Sequence, residues 1–109
     1  MILINVKYEV RPEYEETFLQ EVAWFTDATR AEEGNIFFDW YKDPDKSNGY
    51  LLIEAFQDDA AEAHVNSEHF QRACDEMPRY LLKTPDIINT TIEGKTTWDK
   101  MAEFQVEED

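Results

Sequence analysis

The feature that most narrows the possible folds of this chain is the order in which two hydrophobic periods follow each other. Residues 2–10, ILINVKYEV, alternate apolar and polar side chains as a strand does, and the apolar side carries Ile2, Ile4, Val6, Tyr8 and Val10. Residues 13–34 then place apolar side chains three and four positions apart, which predicts an amphipathic helix that ends at Gly34 as its C-cap. The chain therefore begins with a strand followed by a helix.

The rest of the chain repeats these two periods. Further strands are predicted at 35–43, 49–58 and 86–94, the first two being joined by the PDKSN loop. A short helix over 58–65 is followed by a re-capping point at Asn66-Ser67 and by a second helical piece over 68–82, which Pro78 kinks or ends. The order β-α-β-β-α-β predicts an α+β fold of the ferredoxin-like type, with a four-stranded antiparallel sheet and both helices on one face.

The predicted strand 35–43 has apolar side chains on both of its faces. Ile36, Phe38 and Trp40 lie on one face, and Phe37 and Tyr41 lie on the other. Helices on one side of a sheet bury only one of these faces, so the second face needs a partner. We therefore expect a homodimer in which two sheets pack face to face.

Residues 1–96 form one predicted domain, and residues 97–109 follow it as a C-terminal tail. The tail has Trp98, Met101 and Phe104 at three-residue spacing and is apolar enough to need a docking surface. We expect it to pack on its own subunit or on the partner subunit, and the sequence leaves both routes open.

The charge of the chain excludes several classes of partner. Its 25 Asp and Glu residues against 10 Lys and Arg residues give a formal net charge of −15. Such a chain repels the phosphates of nucleic acids and an anionic membrane surface, so we expect neither as a partner. Three features of the sequence predict a cytoplasmic location. No apolar run is long enough to span a bilayer, and the chain does not start with a signal-peptide pattern. Its single cysteine fits a reducing compartment.

Both histidines fall in one short segment, AHVNSEHF at 63–70, and Cys74 follows shortly after it. On a continuous helix a five-residue step turns about 140°, so His64, His69 and Cys74 cannot share one face unless the predicted break near Asn66 brings them together. The HExxH spacing of helical metal sites is absent, and we expect no metal site. Cys74 is interpreted as a half-buried helical thiol.

The sequence also lacks the common catalytic signatures. It has no GxGxxG, GxxxxGK[ST] or CxxC motif, and Ser67 is better explained as a helix cap than as a nucleophile. Two interpretations of the histidines stay open. Either one imidazole acts as a general base beside an aromatic-lined pocket, or each imidazole satisfies a backbone carbonyl or solvent.

A longer stretch around these histidines resembles a known family. In LLIEAFQDDAAEAHVNSEHF, residues 51–70, a strand ending in Glu-x-aromatic leads to an acidic helix start and then to A-H-x-x-[ST]-x-H-[FM]. The matching residues are Glu54, Phe56, Asp58, Ala63, His64, Ser67, His69 and Phe70. The segments VRPE at 10–13 and EEGNIFFDWYKDPD at 32–45 fit the same frame. Over residues 1 to about 93 the chain resembles the antibiotic biosynthesis monooxygenase family and its quinol monooxygenase members, although Phe56 stands where a Trp is usual.

The resemblance implies a dimeric α+β barrel made of two ferredoxin-like halves. It also implies a monooxygenase that oxidises a quinol or polyketide-like phenolic aromatic with O₂ as co-substrate and with no metal, flavin or other cofactor. His64 is then the candidate base, and the candidate substrate contacts are Trp40, Tyr41, Phe56, His69 and Phe70. A second possibility is a non-catalytic dimer of the same fold that binds a small molecule or is associated with stress.

Overall fold

Four strands form the sheet that positions the site. The computed structural model describes residues 1–107, and its strands are β1 (Ile2–Glu9), β2 (Asn35–Lys42), β3 (Gly49–Phe56) and β4 (Asp86–Thr91). They pair antiparallel in the order β2-β3-β1-β4. The predicted antiparallel four-stranded sheet and the α+β ferredoxin-like fold are confirmed, although each predicted strand end falls one to three residues too late.

The segment between β1 and β2 is not one continuous helix. It consists of a 3₁₀ turn over Pro12–Tyr14, α1 (Phe18–Glu21) and α2 (Ala23–Arg30). At Val22, between α1 and α2, φ of −104° and ψ of 10° leave the helical region. The prediction of a single helix capped by Gly34 is wrong, because α2 is closed at Ala31, whose N–H donates to the carbonyl of Asp27. Gly34 lacks the positive φ of a C-cap glycine.

The segment between β3 and β4 is broken where the sequence predicts. It consists of α3 (Ala61–Val65), α4 (Glu68–Glu76) and a 3₁₀ turn over Met77–Tyr80. Ser67 is the N-cap of α4, and its Oγ accepts a hydrogen bond of 3.2 Å from the N–H of Phe70. Pro78 lies in the 3₁₀ turn, beyond the end of the α-helix. Among residues 1–107, no helix is both long and apolar enough to cross a membrane.

The helices cover one face of the sheet, and the strand register decides which side chains they meet. Glu54 of β3 pairs with Ile4 of β1 and with Phe38 of β2, so these three side chains point toward the helices. The largest fully buried side chains of the core include Phe18, Phe38, Phe56 and Leu52. The core therefore lies between the sheet and the helices, and Glu54 places a carboxyl group inside it.

The opposite face of the sheet carries the second apolar surface that the sequence predicts. Phe37 and Tyr41 of β2 lie there with Leu51 and Ile53 of β3, and all four are half-buried or exposed. Trp98 of the tail stacks on Phe37, with ring centroids 5.3 Å apart. The tail thus contacts its own subunit at this point. Its route in a dimer, like the dimer itself, stays a prediction.

Candidate functional site

The break between α3 and α4 brings both histidines to one carboxylate. Nδ1 of His64 lies 2.7 Å, and Nε2 of His69 lies 2.5 Å, from the same oxygen, Oε2 of Glu32. A continuous helix would place the two imidazoles on different faces, and the predicted break between Val65 and Glu68 brings them together. At Ser67 the backbone is extended, with φ of −71° and ψ of 155°, so α4 starts in a new direction.

Glu32 reaches the histidines from a turn between α2 and β2. Its N–H donates to the carbonyl of Thr29 at 3.0 Å, and its carbonyl accepts from the N–H of Asn35 at 3.2 Å. Gly34 lets this turn lie against the start of α3, since a Cβ at Gly34 would stand 2.1 Å from the Cβ of Ala60. The glycine is required for this close approach and not for the helix cap that the sequence suggested.

A second carboxyl group lies on the other side of the His64 ring. Oε1 of Glu54 is 3.9 Å from Nε2 of His64, and the Glu54 side chain is only 8% exposed. Burial, together with the negative charge of Glu32, raises the pKa of Glu54 to about 8. A carboxyl group with such a pKa can both give and take a proton near neutral pH. We call Glu32, Glu54, His64 and His69 the carboxylate–histidine cluster.

Three phenyl rings enclose the His64 imidazole. The ring centroids of Phe56, Phe70 and Phe25 lie 4.7, 5.0 and 6.0 Å from that of His64. Phe25 and Phe56 are buried and Phe70 is half-buried, so Phe70 forms the outer wall. Three of the predicted substrate contacts, Phe56, His69 and Phe70, are thus gathered around or beside His64.

The other two predicted substrate contacts are not brought into a common pocket. Trp40 lies on the helix-facing side of the sheet and donates from Nε1 to Oγ1 of Thr26 at 2.9 Å. Tyr41 follows it in β2 and points to the opposite face, where it lines a separate cleft of about 360 Å³. Successive side chains of a strand point to opposite faces, so Trp40 and Tyr41 do not line one common pocket.

The carboxylate–histidine cluster meets solvent at Glu32. An open cleft of about 530 Å³ is lined by Glu32, Glu33, Gly34, Gln57, Asp59, Ala60 and Ala63. The cleft runs between the turn before β2 and the start of α3. It therefore gives a path from the surface to the carboxylate that both histidines contact.

The contacts of His64 fix its tautomer. An ionised carboxylate only accepts hydrogen bonds, so a neutral His64 carries its proton on Nδ1 and donates it to Glu32. Nε2 then keeps a free lone pair on the side of Glu54. A carboxylate that orients an imidazole and leaves its second nitrogen free is the arrangement of a general base. A structural histidine can make the same contact, but the partner of both imidazoles is the Glu32 carboxylate and not the backbone carbonyl expected of a structural imidazole.

Cys74 does not belong to this cluster. It is exposed on α4, so its interpretation as a half-buried thiol is wrong. The residue that α4 buries is Ala73. A one-residue step turns a helix by about 100°, which directs Cys74 outward.

Glu32 is the functional residue that sequence reasoning missed. It lies 32 positions before His64 in the chain, so no local spacing connects the two. The one sequence feature that points to Glu32 is that it lies in the segment EEGNIFFDWYKDPD, which fits the family pattern. Glu33 is equally acidic and adjacent to it, and the two are distinguished by burial, since Glu32 is half-buried and Glu33 is exposed.

The chain matches a known protein family over most of its length. The model of the family described as antibiotic biosynthesis monooxygenase matches residues 1–76. The chain belongs to this family. The matched region contains all four members of the carboxylate–histidine cluster, so the cluster lies within the family domain.

Several similar proteins match most of the length of this chain. It is 30% identical over 93 residues to the Bacillus subtilis protein named "Putative monooxygenase YcnE", a match that covers 84% of this chain and 98% of the relative. The crystal structure of PA3566 from Pseudomonas aeruginosa is 28% identical with a TM-score of 0.70, covering 82% of this chain and 90% of that chain. The structure of a "putative antibiotic biosynthesis monooxygenase" from Deinococcus radiodurans has a TM-score of 0.77 at 16% identity, covering 92% of this chain and 100% of that chain. The last similarity shows the shared fold alone.

Proposed function

We propose that this family member oxidises a quinol or polyketide-like phenol with O₂ as co-substrate and without a metal or flavin. The observation that carries the proposal is the His64 imidazole, which Glu32 orients through a 2.7 Å hydrogen bond and which keeps Nε2 free. Membership of the monooxygenase family and a relative named as a monooxygenase support the class of reaction.

The proposed chemistry needs a base and a site that excludes water. The base removes the phenolic proton, and the electron-rich anion then transfers an electron to O₂. Formation of the carbon–oxygen bond leaves one oxygen atom in the product, and the other leaves as water. A hydroquinone and O₂ would thus give a hydroxyquinone and water, and the substrate itself supplies all the electrons.

The residues of the cluster take distinct roles in this proposal. His64 is the base, and Glu32 is the residue that positions it. Glu54 lies 3.9 Å from Nε2 of His64, where its carboxyl group, when ionised, can receive the proton that the imidazole has taken. Phe56 and Phe70 pack beside the imidazole and exclude water from it. His69, Trp40 and Tyr41 stay predicted substrate contacts.

We also propose that the functional unit is a homodimer. The sheet face opposite the helices presents Phe37, Leu51 and Ile53, together with Ile88, which is 68% exposed. Several exposed or half-buried apolar side chains on one sheet face are a common mark of a protein–protein interface. A second copy of the chain presents the same face, so a two-fold axis can bury both at once.

The second candidate function is a non-catalytic, stress-associated dimer that binds a small molecule. The enclosure of His64 favours it, because the residue is only 4% exposed and its Nδ1 is already bound to Glu32. In this candidate the imidazole holds the turn of Glu32 against α3 and transfers no proton.

Oxygen consumption separates the two candidates. Chelator-treated protein is mixed with hydroquinones and anthrones in an oxygen electrode, beside His64→Gln and the control Glu62→Gln, which removes an exposed carboxylate from α3. The proposal expects uptake above the spontaneous rate by the wild type and by Glu62→Gln, and its loss in His64→Gln. Saturable binding of these aromatics with no uptake above background would overturn the proposal and support the binding dimer. Thermal unfolding shows that each variant is folded.

A further inference from the structure

We propose that Glu32, His64 and His69 form a three-ligand site for a divalent first-row transition metal ion, and that such an ion prevents His64 from acting as a base. One carboxylate oxygen and two imidazole nitrogens lie within 4.8 Å of one another. Ions such as Zn²⁺, Fe²⁺ and Co²⁺ prefer this donor set, and two histidines with one carboxylate leave positions open for water. The metal site can exist whether or not the proposed function is correct. The effect of a bound ion on the base rests on the proposed function.

Small movements would convert the hydrogen-bonded triad into a metal site. With metal–ligand distances near 2.1 Å, tetrahedral ligands stand about 3.4 Å apart. The nitrogen–oxygen contacts of 2.7 and 2.5 Å therefore need to open by about 0.7 to 0.9 Å. Glu32 allows this adjustment, because it lies in the turn before β2 and its side chain is 15% exposed.

Glu54 supplies the outer contact that histidine ligands usually have. A metal-bound imidazole normally donates its other N–H to a carboxylate, which orients the ring. Nε2 of His64 lies 3.9 Å from Oε1 of Glu54. A ring that binds the ion through Nδ1 would donate to Glu54 through Nε2 once the two groups approach by about 1 Å. Glu54 lies on β3, within the four-stranded sheet.

The charge of the cluster also favours a cation. Glu32 is largely buried, with a side chain 15% exposed, and its ion-pair partners among residues 1–107 are the two histidines. Buried carboxylates are normally paired with a full positive charge or bound to a metal. The open cleft of about 530 Å³ leads to Glu32 past the exposed Glu33 and Asp59, so an ion has a negatively charged path from solvent.

Metal binding and base catalysis exclude each other through the tautomer of His64. In the hydrogen-bonded triad Nδ1 carries the proton and Nε2 has the lone pair. An ion on Nδ1 displaces that proton, and the neutral ring then carries its hydrogen on Nε2, directed at Glu54. The lone pair that would accept the phenolic proton is no longer available. This consequence rests on the proposed function.

Isothermal titration of the full-length, chelator-stripped protein with Zn²⁺ tests the site. We expect one Zn²⁺ per chain in the wild type and in the control Glu62→Gln. Removing a ligand should weaken binding at least 100-fold in Glu32→Gln and in His69→Gln, more than the 10- to 100-fold effect typical of outer-shell partners. Equal affinity in Glu32→Gln and Glu62→Gln, or no stoichiometric binding by the wild type, would overturn the site. Visible absorption of bound Co²⁺ gives a second readout, and circular dichroism confirms that the variants are folded.

Oxygen uptake in the presence of saturating Zn²⁺ tests the effect on the base. The proposal expects uptake to stop and a chelator to restore it. Unchanged uptake with Zn²⁺ bound would show that the ion does not block the base. Stoichiometric Zn²⁺ binding by a protein that oxidises none of the aromatics with or without the ion would leave the metal site standing and contradict the proposed function.

Discussion

Replacing Glu54 by glutamine should remove a pH-dependent loss of stability from the protein. Burial and the charge of Glu32 raise the pKa of the folded-state Glu54 from 4.5 to about 8. The folded protein therefore holds this proton more tightly than the unfolded chain does. The stabilisation is complete below pH 4.5 and is lost as the pH rises through the window up to about 8.

The magnitude of the effect follows from the width of this window. Wherever Glu54 is protonated in the folded protein and ionised in the unfolded chain, each pH unit lowers the free energy of unfolding by up to about 1.4 kcal/mol. Between pH 4.5 and about 8 the total is roughly 4 kcal/mol. Glutamine has nearly the same volume as glutamate and no ionisable proton, so the variant lacks this loss. The stability of Glu54→Gln relative to the wild type should therefore rise by roughly 4 kcal/mol across this range.

Urea unfolding at a series of pH values measures this difference. Both proteins are studied in the presence of a chelator and at one protein concentration, because metal binding and association shift apparent stability. The control Glu62→Gln changes an exposed carboxylate and should follow the wild-type profile. Parallel profiles of the wild type and Glu54→Gln from about pH 4.5 to about 9 would refute the reasoning.

Three further predictions concern the scaffold of the site and the assembly. Gly34→Ala should lower stability by roughly 2 kcal/mol, measured by thermal unfolding, because its Cβ would stand 2.1 Å from that of Ala60; an unchanged melting temperature would contradict the close-approach role. Ser67→Ala should cost about 1 kcal/mol in the same assay through loss of the α4 cap, and a neutral effect would show that the cap is dispensable. Sedimentation should show a dimer, and deletion of 97–109 should weaken it if the tail crosses to the partner subunit; an unchanged dissociation constant would place the tail on its own subunit.

Most of the fold could be predicted because the strands show their burial in their periodicity. In β1, Ile4 and Val6 face the helices and are buried, while Lys7 is exposed, so alternation in sequence matches alternation in space. The helical segment before β2 was harder to predict, because the same periodic pattern fits one continuous helix and two short helices that meet at Val22. A glycine that permits close packing, such as Gly34, also looks the same in sequence as one that caps a helix.

The site could be predicted only in part, because its contacts are between distant parts of the chain. His64 and its neighbour Phe70 were identified from a local motif, and the structure brings them together. Glu32 contacts His64 and His69 across 32 and 37 positions, and no local pattern encodes such contacts. The cap at Ser67 was recognised, but the direction that a helix takes after a break is set by packing against the sheet and not by the cap.

The fate of the two oxygen atoms tests the central claim most directly. Wild-type protein, treated with a chelator, is given a reactive hydroquinone or anthrone under isotopically labelled O₂, and the product is analysed by mass spectrometry beside that of His64→Gln. Our account predicts one labelled oxygen atom in each product molecule, one O₂ consumed per product and the loss of this reaction in the variant. An unlabelled product, release of hydrogen peroxide in place of water, or equal turnover by His64→Gln would contradict it.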